Sequence, residues 1–353
     1  MSKKYHIIVF GCQMNTSDAE RISAVLESSE YKFTPKEDKA DLIVVVMCSV
    51  RQSAVDRVHW LSQKFSKIKK NKPNLKIILT GCILKKDENI FAKNFDYIIN
   101  IKEIKKIPEI LKIKKIKNSN DYLDLIPKYT SKDMAYIPIM TGCNNFCSYC
   151  VVPYTRGREI SRPAKDIIKE VKNLIKKKYK EVWLLGQNVN SYKDGEINFP
   201  KLLKKINDIQ GEFKLNFTSS HPKDFSDELI ETMTKCQKLS MDLNLPIQSG
   251  DDEILKKMNR PYTVDQYKTL VKKIRKALPN IRLSTDIIVG FPGETKKQFN
   301  NTVKLVKEIG YGVAFISKYS PREGTVAAKM KDNVSWKEKK RREKILIDLI
   351  NKK

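Results

Sequence analysis

Long apolar runs are missing from this chain: nowhere in its 353 residues does an uncharged hydrophobic stretch reach the length that spans a bilayer. No secretory leader is expected at MSKKYHIIVFGCQMN, which has two lysines but only a short apolar run and no small-residue cleavage site behind it. Cysteine is scarce, at seven residues, and a chain long enough for two or three cores does not need disulfide staples. These absences point to a cytoplasmic protein without a membrane partner, in a compartment where clustered thiols bind metal or do chemistry. Histidine is scarcer still, with only His6, His59 and His221. Acidic residues are outnumbered, 41 against 69 Lys and Arg, which leaves a net charge of +28 and a pI near 9.6. Such an excess suggests a polyanionic partner, most simply nucleic acid. Only 12 of the basic residues are Arg, and with abundant Ile and Asn the same balance would follow from an AT-rich coding bias.

What is present begins with three units of one layout. YHIIVFGC ends at Cys12, DLIVVVMC at Cys48 and LKIILTGC at Cys82. Helical patterns follow the first two, SDAERISAVLESS and QSAVDRVHWLSQKF, and a looser polar segment follows the third. The apolar runs are continuous rather than alternating, as expected of strands covered on both faces of a parallel sheet. The fold class is therefore α/β, beginning with a doubly wound parallel-sheet domain over 1–118. Residues from about 101 to 132 mix Lys with Ile and read as a connector with one short helix, of which 119–132 is the linker.

A second α/β series then runs over 133–330. Its candidate strands are AYIPIMTG, EVWLLG, FKLNFTS, SMDLNLP, RLSTDIIVG and GVAFISKYS, separated by helical patterns such as AKDIIKEVKNLIKKK and TVDQYKTLVKKIRKAL. Six strands are two short of a closed eightfold barrel, so the expected architecture is a partial, open (β/α)6 TIM-like barrel. Residues 331–353 read as a basic C-terminal helix.

The cysteines fall into two sets. Ligands of parallel α/β sheets bind beyond the carboxyl ends of the strands, so Cys12, Cys48 and Cys82 are expected to meet on one edge. A buried thiol at a strand end can also be no more than a small hydrophobe. Gly11 and Gly81 before two of them suit close approach to a bulky ligand. Cys143, Cys147 and Cys150 follow C-x3-C-x2-C spacing after a strand, with Gly142 in front. A structural zinc needs four closed ligands, and with no histidine near this loop it would have to borrow a distant one. Three thiolates suit a four-iron cluster with one iron left open to a substrate or cofactor. Cys236 is left over on a helical pattern, as a packed or half-exposed thiol.

Cys143, Cys147 and Cys150 match the signature of the radical S-adenosylmethionine (SAM) superfamily. More narrowly, the whole chain resembles the methylthiotransferases, with Cys12, Cys48 and Cys82 matching the cysteines of their N-terminal domain. GCQMNTSDAERI, CSYCVVPYTRGREISRP, LLGQNVNSY, LNLPIQSGDDEILKKMNRPYT, STDIIVGFPGET and YSPREGT look like the branch that makes 2-methylthio-N6-dimethylallyladenosine in tRNA. The resemblance implies two [4Fe-4S] clusters, both bound by cysteine. The one on Cys143, Cys147 and Cys150 would be catalytic, cleaving SAM to a radical that takes hydrogen from C2 of the adenine. The one on Cys12, Cys48 and Cys82 would carry the sulfur, methylated by a second SAM. The target would be the adenosine 3′ of the anticodon, position 37. A sister methylthiotransferase acting on threonylcarbamoyl-adenosine or on a ribosomal protein, and a non-catalytic iron-sulfur RNA-binding protein, are the alternatives. A low-potential donor such as flavodoxin or ferredoxin would supply electrons, and the chain is expected to act as a monomer.

Under the same resemblance, Gln187, Asn188, Ser219, Gln248 and Asp286 stand at or near strand ends where they could bind SAM, although GQNVNSY is otherwise an ordinary polar loop. GFPGET could be a turn capping a helix. Arg156, Arg158 and Arg162 follow the cluster loop where an RNA backbone would pass, or they pair with Glu159 and neighbouring helices. Tyr154 could stack on a base. Two departures stand out. Val46 and Met47 replace the Asn-Thr that the family places before its second cysteine, and the chain stops where a small RNA-binding barrel, TRAM, would start. The basic tail with Arg341 and Arg342 is then expected to supply part of the RNA grip.

Overall fold

The computed structural model describes residues 2–113 and 122–351, in two compact units. One comprises Met1–Lys132 with Val151–Gly157, and the other Asp133–Cys150 with Arg158–Lys353.

The first unit is built on a parallel sheet whose spatial order is Lys32–Phe33, Lys4–Val9, Leu42–Cys48, Lys76–Cys82, Tyr97–Ile98. The period of two divides the strands between two cores. Leu42, Val44, Val46 and Ile78 face Ile22, Val25 and Leu26 of helix Gln13–Ser28, while Ile43, Val45, Met47, Ile77 and Leu79 face Val55, Val58, Leu61 and Phe65 of helix Gln52–Asn71. Covering on both faces is why these runs are uninterrupted by polar residues. The looser segment after Cys82 forms the short helix Lys85–Phe91. Strand order reverses between Lys4–Val9 and Leu42–Cys48, which makes the crevice at their carboxyl ends the expected ligand position of such a sheet. The expected linker is packed: Tyr122, Leu123 and Leu125 sit in the first core, and residues 119–121 lie outside the described residues. Apolar side chains in a Lys-rich stretch carry no clean period, which hid this from the sequence.

In the second unit six parallel strands follow in chain order: Met134–Pro138, Glu181–Leu185, Lys214–Phe217, Asp242–Asn244, Arg282–Val289 and Val313–Lys318. The two three-stranded halves join where Leu215 N–H donates to Lys238 O and Ser240 N–H to Leu215 O, both at 2.8 Å. This is the open (β/α)6 arrangement, with helices such as Ala164–Lys176, Val264–Ala277 and Lys296–Ile309 between strands. Thr263 and Thr295 start the last two helices with capping boxes closed by Gln266 and Gln298, respectively, at their third positions.

The helix Trp336–Asn351 belongs to this unit, and charge docks it. Arg342 and Glu294 are both nearly solvent-free; Arg342 Nη1 lies 2.6 Å from Glu294 Oε2 and 3.0 Å from Glu294 O. Lys339 is buried and pairs with Asp332 at 2.6 Å. Arg341 and Arg342 also share Glu338. The expectation that Arg342 supplies an RNA grip is corrected here, because it is buried and donates to carboxylates of its own unit, whereas Arg341 pairs with Glu338 and stays exposed.

Candidate cluster and cofactor site

Cys48 and Cys82 stand opposite each other in the ladder, with their thiols in electrostatic contact. Cys12 caps helix Gln13–Ser28, where Asn15 Oδ1 accepts from its backbone N–H at 3.2 Å, and its thiol lies within electrostatic reach of Cys82. The three thiols therefore meet on one edge of the sheet. The glycines serve this edge differently from expectation. A Cβ on Gly81, whose φ is +113°, would stand 2.2 Å from Met47 O, and one on Gly11 would stand 2.1 Å from Asn15 Oδ1. Both make room for protein atoms rather than for a ligand.

The sequence gives no hint of what lies beneath. Arg156 is 1 % exposed and donates from Nε to Cys82 Sγ at 3.0 Å, from Nη2 to Asp18 Oδ2 at 2.5 Å and from Nη1 to Tyr122 Oη at 3.3 Å. The neighbouring Cys48 thiol and the Arg156 charge draw the Cys82 thiol down against the effect of burial. Arg156 is thus no RNA contact, and neither is Arg162, which is buried, pairs with Glu170 at 2.8 Å and donates to Pro138 O. Glu159 accepts from Ser191 instead. Of the three arginines Arg158 is exposed, over the Phe146 ring at 4.3 Å, and Tyr154 is exposed too.

In the second unit Cys143, Cys147 and Cys150 lie on a loop between Met140–Thr141 and its antiparallel partner Ile160–Ser161. The loop is braced by MNRPYT and its neighbours: Ser148 Oγ donates to Lys257 O at 2.7 Å, and Asn259 Nδ2 to Asn145 O and Phe146 O at 3.1 and 3.0 Å. Phe146 and Asn259 both hold left-handed backbone, at φ 48° and 55°. Buried Arg260 donates to Tyr262 Oη, to Pro246 O and, at 3.6 Å, to Cys147 Sγ. Burial raises the Cys143 thiol. Cys236, buried at the end of helix Asp227–Lys235, is pushed up to about 11 by burial. Among the described residues no three Cys, His, Asp or Glu side chains close tightly enough to hold a single ion. Thiolates that each bind a different iron of one cluster do not need to.

The expected SAM residues lie at the carboxyl ends of the strands, with Asp286 farther back within Arg282–Val289. Gln187 and Asn188 follow Glu181–Leu185, and Asn188 Nδ2 donates to Asp224 at 2.7 Å. Ser219 and Gln248 hold left-handed backbone at φ 62° and 72°, a conformation costly for such residues unless the surroundings impose it. Asp286 accepts from Asn244 at 3.1 Å, and its carbonyl accepts from Gln248 N–H. Around them, Gln187 Oε1, Asn188 Oδ1, Asn190 Nδ2, Ser220 Oγ, His221 Nε2 and Ser249 Oγ are buried without partners. Native proteins rarely leave so many polar atoms unsatisfied together, so the set fits a polar ligand. His221 Nδ1 accepts from Lys223 N–H, which places its proton on Nε2; burial, with Arg260 and Lys223, pushes it down to about 2, so the ring is neutral. Asn190, Ser220, His221 and Ser249 were not singled out from sequence, where lone polar residues in loops carry no pattern.

The comparisons with known proteins agree with this geometry. Residues 137–306 match the family model described as the radical SAM superfamily, which gives the class of the second unit, and residues 4–101 match one described as uncharacterized protein family UPF0004. A radical S-adenosylmethionine methyltransferase from Kitasatospora setae, TsrM, solved with cobalamin and a [4Fe-4S] cluster bound, shares the fold at a TM-score of 0.68 and 14% identity, over 93% of this chain and 77% of its own. The chain is 43% identical to the tRNA-2-methylthio-N(6)-dimethylallyladenosine synthase of Clostridium novyi, over 99% of this chain and 81% of the relative. The same identity and share of this chain hold for the synthase of Thermoanaerobacter sp., with 78% of that relative covered. The chain belongs to the tRNA-2-methylthio-N(6)-dimethylallyladenosine synthase family. Among the described residues no helix is long and apolar enough to cross a membrane.

Proposed function

We propose that the protein transfers a methylthio group to C2 of N6-(dimethylallyl)adenosine at position 37 of tRNA, with SAM and two [4Fe-4S] clusters held by Cys143, Cys147 and Cys150 and by Cys12, Cys48 and Cys82. The observation that carries this is 43% identity, over 99% of this chain, to relatives of that name in a chain that keeps both cysteine sets at or just after strand ends. When bound, these groups supply the radical that breaks an unreactive C–H bond, the sulfur and the methyl group.

The chain's own residues bind and orient. Ser148 and Asn259 fix the Cys143–Cys150 loop, and Arg260 sets a positive charge against Cys147. Three thiols with no fourth ligand in the loop leave one iron for SAM. Unpartnered donors at Asn190 Nδ2, His221 Nε2, Ser220 Oγ and Ser249 Oγ suit the carboxylate and ribose of SAM, and acceptors at Gln187 Oε1 and Asn188 Oδ1 suit its ammonium. Ser219, Gln248 and Asp286 complete the set. Neutral His221 orients a ligand without exchanging a proton near pH 7. Arg158 and Tyr154 are the exposed groups after the loop that could meet a phosphate and an unstacked base. The protein would act as a cytoplasmic monomer fed by a flavodoxin or ferredoxin. The test is complementation of a bacterium lacking this modification: the wild-type chain should restore the methylthio nucleoside, and Cys143→Ala and Cys12→Ala should not. Restoration by either variant would refute the reading.

A further inference from the structure

Arg156 carries an inference beyond the family assignment. A buried ion pair is an expensive way to hold two segments together, because both ions lose water, and well-packed apolar residues often do as well. Arg156 and Asp18 have side chains 2% and 0% exposed, and Asp18 Oδ1 has no partner at all. The pair therefore neutralises charge without completing its own hydrogen bonding. The guanidinium meanwhile points a separate donor, Nε–H, at Cys82 Sγ, which a purely structural pair would not require. Asp18 sits on the helix that Cys12 caps, and Arg156 thereby ties that helix to the strand ending at Cys82. Arginine stays charged in any protein site, so the donor is permanent.

A hydrogen bond from a cation withdraws electron density from a cluster-bound sulfur and favours the more negative, reduced state. We propose that Arg156 is a positioning residue that holds Cys82 through its Nε–H···S bond and raises the reduction potential of the cluster on Cys12, Cys48 and Cys82, with Asp18 as the counter-charge that limits the rise. This rests on the two-cluster reading above. The sign of each effect follows from charge: removing Arg156 favours the oxidised cluster, and removing the Asp18 charge favours the reduced one.

The test uses the full chain with Cys143, Cys147 and Cys150 replaced by alanine, reconstituted with iron and sulfide and titrated electrochemically with EPR detection. At a fixed solution potential Arg156→Met should lower the reduced-to-oxidised ratio about tenfold, the worth of one charge-assisted hydrogen bond. Arg156→Lys should lower it less, and Asp18→Asn should raise it. In the complementary background, with Cys12, Cys48 and Cys82 replaced, Arg156→Met should leave the other cluster's potential unmoved. An unchanged ratio in Arg156→Met at full iron content overturns the proposal, as does an equal shift in both backgrounds. Should Arg156→Met take up no iron, Asp18→Asn decides, and a ratio that is unchanged or lowered there overturns it. Failure of the unsubstituted first unit to take up iron refutes the two-cluster reading instead, and the proposal with it.

Discussion

Replacing Arg342 with methionine separates a structural role for the C-terminal helix from an RNA-binding one. Arg342 is 3% exposed and its partner Glu294 1%, the shortest contact being 2.6 Å. Methionine fills much of the same space but leaves Glu294 with only the Gly290 N–H, at 2.6 Å. Breaking a buried pair on one side costs about 3–5 kcal/mol, because a charge is stranded without water. Local opening of the helix Trp336–Asn351 should then become at least about a hundredfold more frequent, at 1.36 kcal/mol per decade. Amide exchange read by mass spectrometry should show this over Trp336–Asn351 and the adjoining strand Val313–Lys318. Glu294→Gln combined with Arg342→Met should recover most of the loss, since no charge is then stranded. The slope of tRNA affinity against salt should not change, whereas loss of a phosphate contact would lower it by about 1. Normal protection of the helix together with a reduced salt slope would show that Arg342 serves the RNA.

Three further outcomes are expected. Asn259→Gly keeps the left-handed backbone but removes both donors from the cysteine loop, so about 1–3 kcal/mol of bracing is lost and iron should leave the Cys143 set faster on exposure to chelator; an unchanged release rate would contradict this. Asn188→Ala, read by calorimetry on the reconstituted chain, should weaken SAM binding about tenfold with the fold intact, and an unchanged Kd would remove Asn188 from the SAM site. Glu338 is held down at about 2 by the hydrogen bond from Arg341, then by Arg342 and both charges. Its folded-state value lies below the ordinary 4.5, so its stabilisation is complete above that pH and is lost as pH falls from about 4.5 to 2. Exchange protection of the helix should fall across this window in the wild type and less steeply in Glu338→Gln.

The strands Lys4–Val9, Leu42–Cys48 and Lys76–Cys82 were legible because sheets covered on both faces write continuous apolar runs, and the place of Cys12, Cys48 and Cys82 at or just beyond their carboxyl ends followed from those runs. The sixfold series in the second unit was legible for the same reason. Long-range polar pairing was not. Arg156 meets Asp18 across 138 residues of chain, and no local period marks either as buried. Placed in an Arg-rich segment, Arg156 and Arg162 read equally as RNA contacts or as partners of neighbouring helices, and the fold shows their donors taken by Asp18 and Glu170. Arg342 misled in the same way, since a basic helix has the same composition whether its face is solvated or docked. The unpartnered atoms of Asn190, Ser220, His221 and Ser249 became visible only once strand ends converged.

Anaerobic reconstitution reads radical methylthiolation by this chain at its two products. Protein loaded with iron and sulfide is mixed with SAM, a low-potential reductant and tRNA bearing N6-(dimethylallyl)adenosine, and the digested nucleosides are read by mass spectrometry. 5′-Deoxyadenosine should form together with the 2-methylthio nucleoside, and both should be lost in the Cys143→Ala/Cys147→Ala/Cys150→Ala variant. A fully loaded protein that forms neither product, or that forms the methylthio nucleoside without those three cysteines, would rule out radical methylthiolation by this chain.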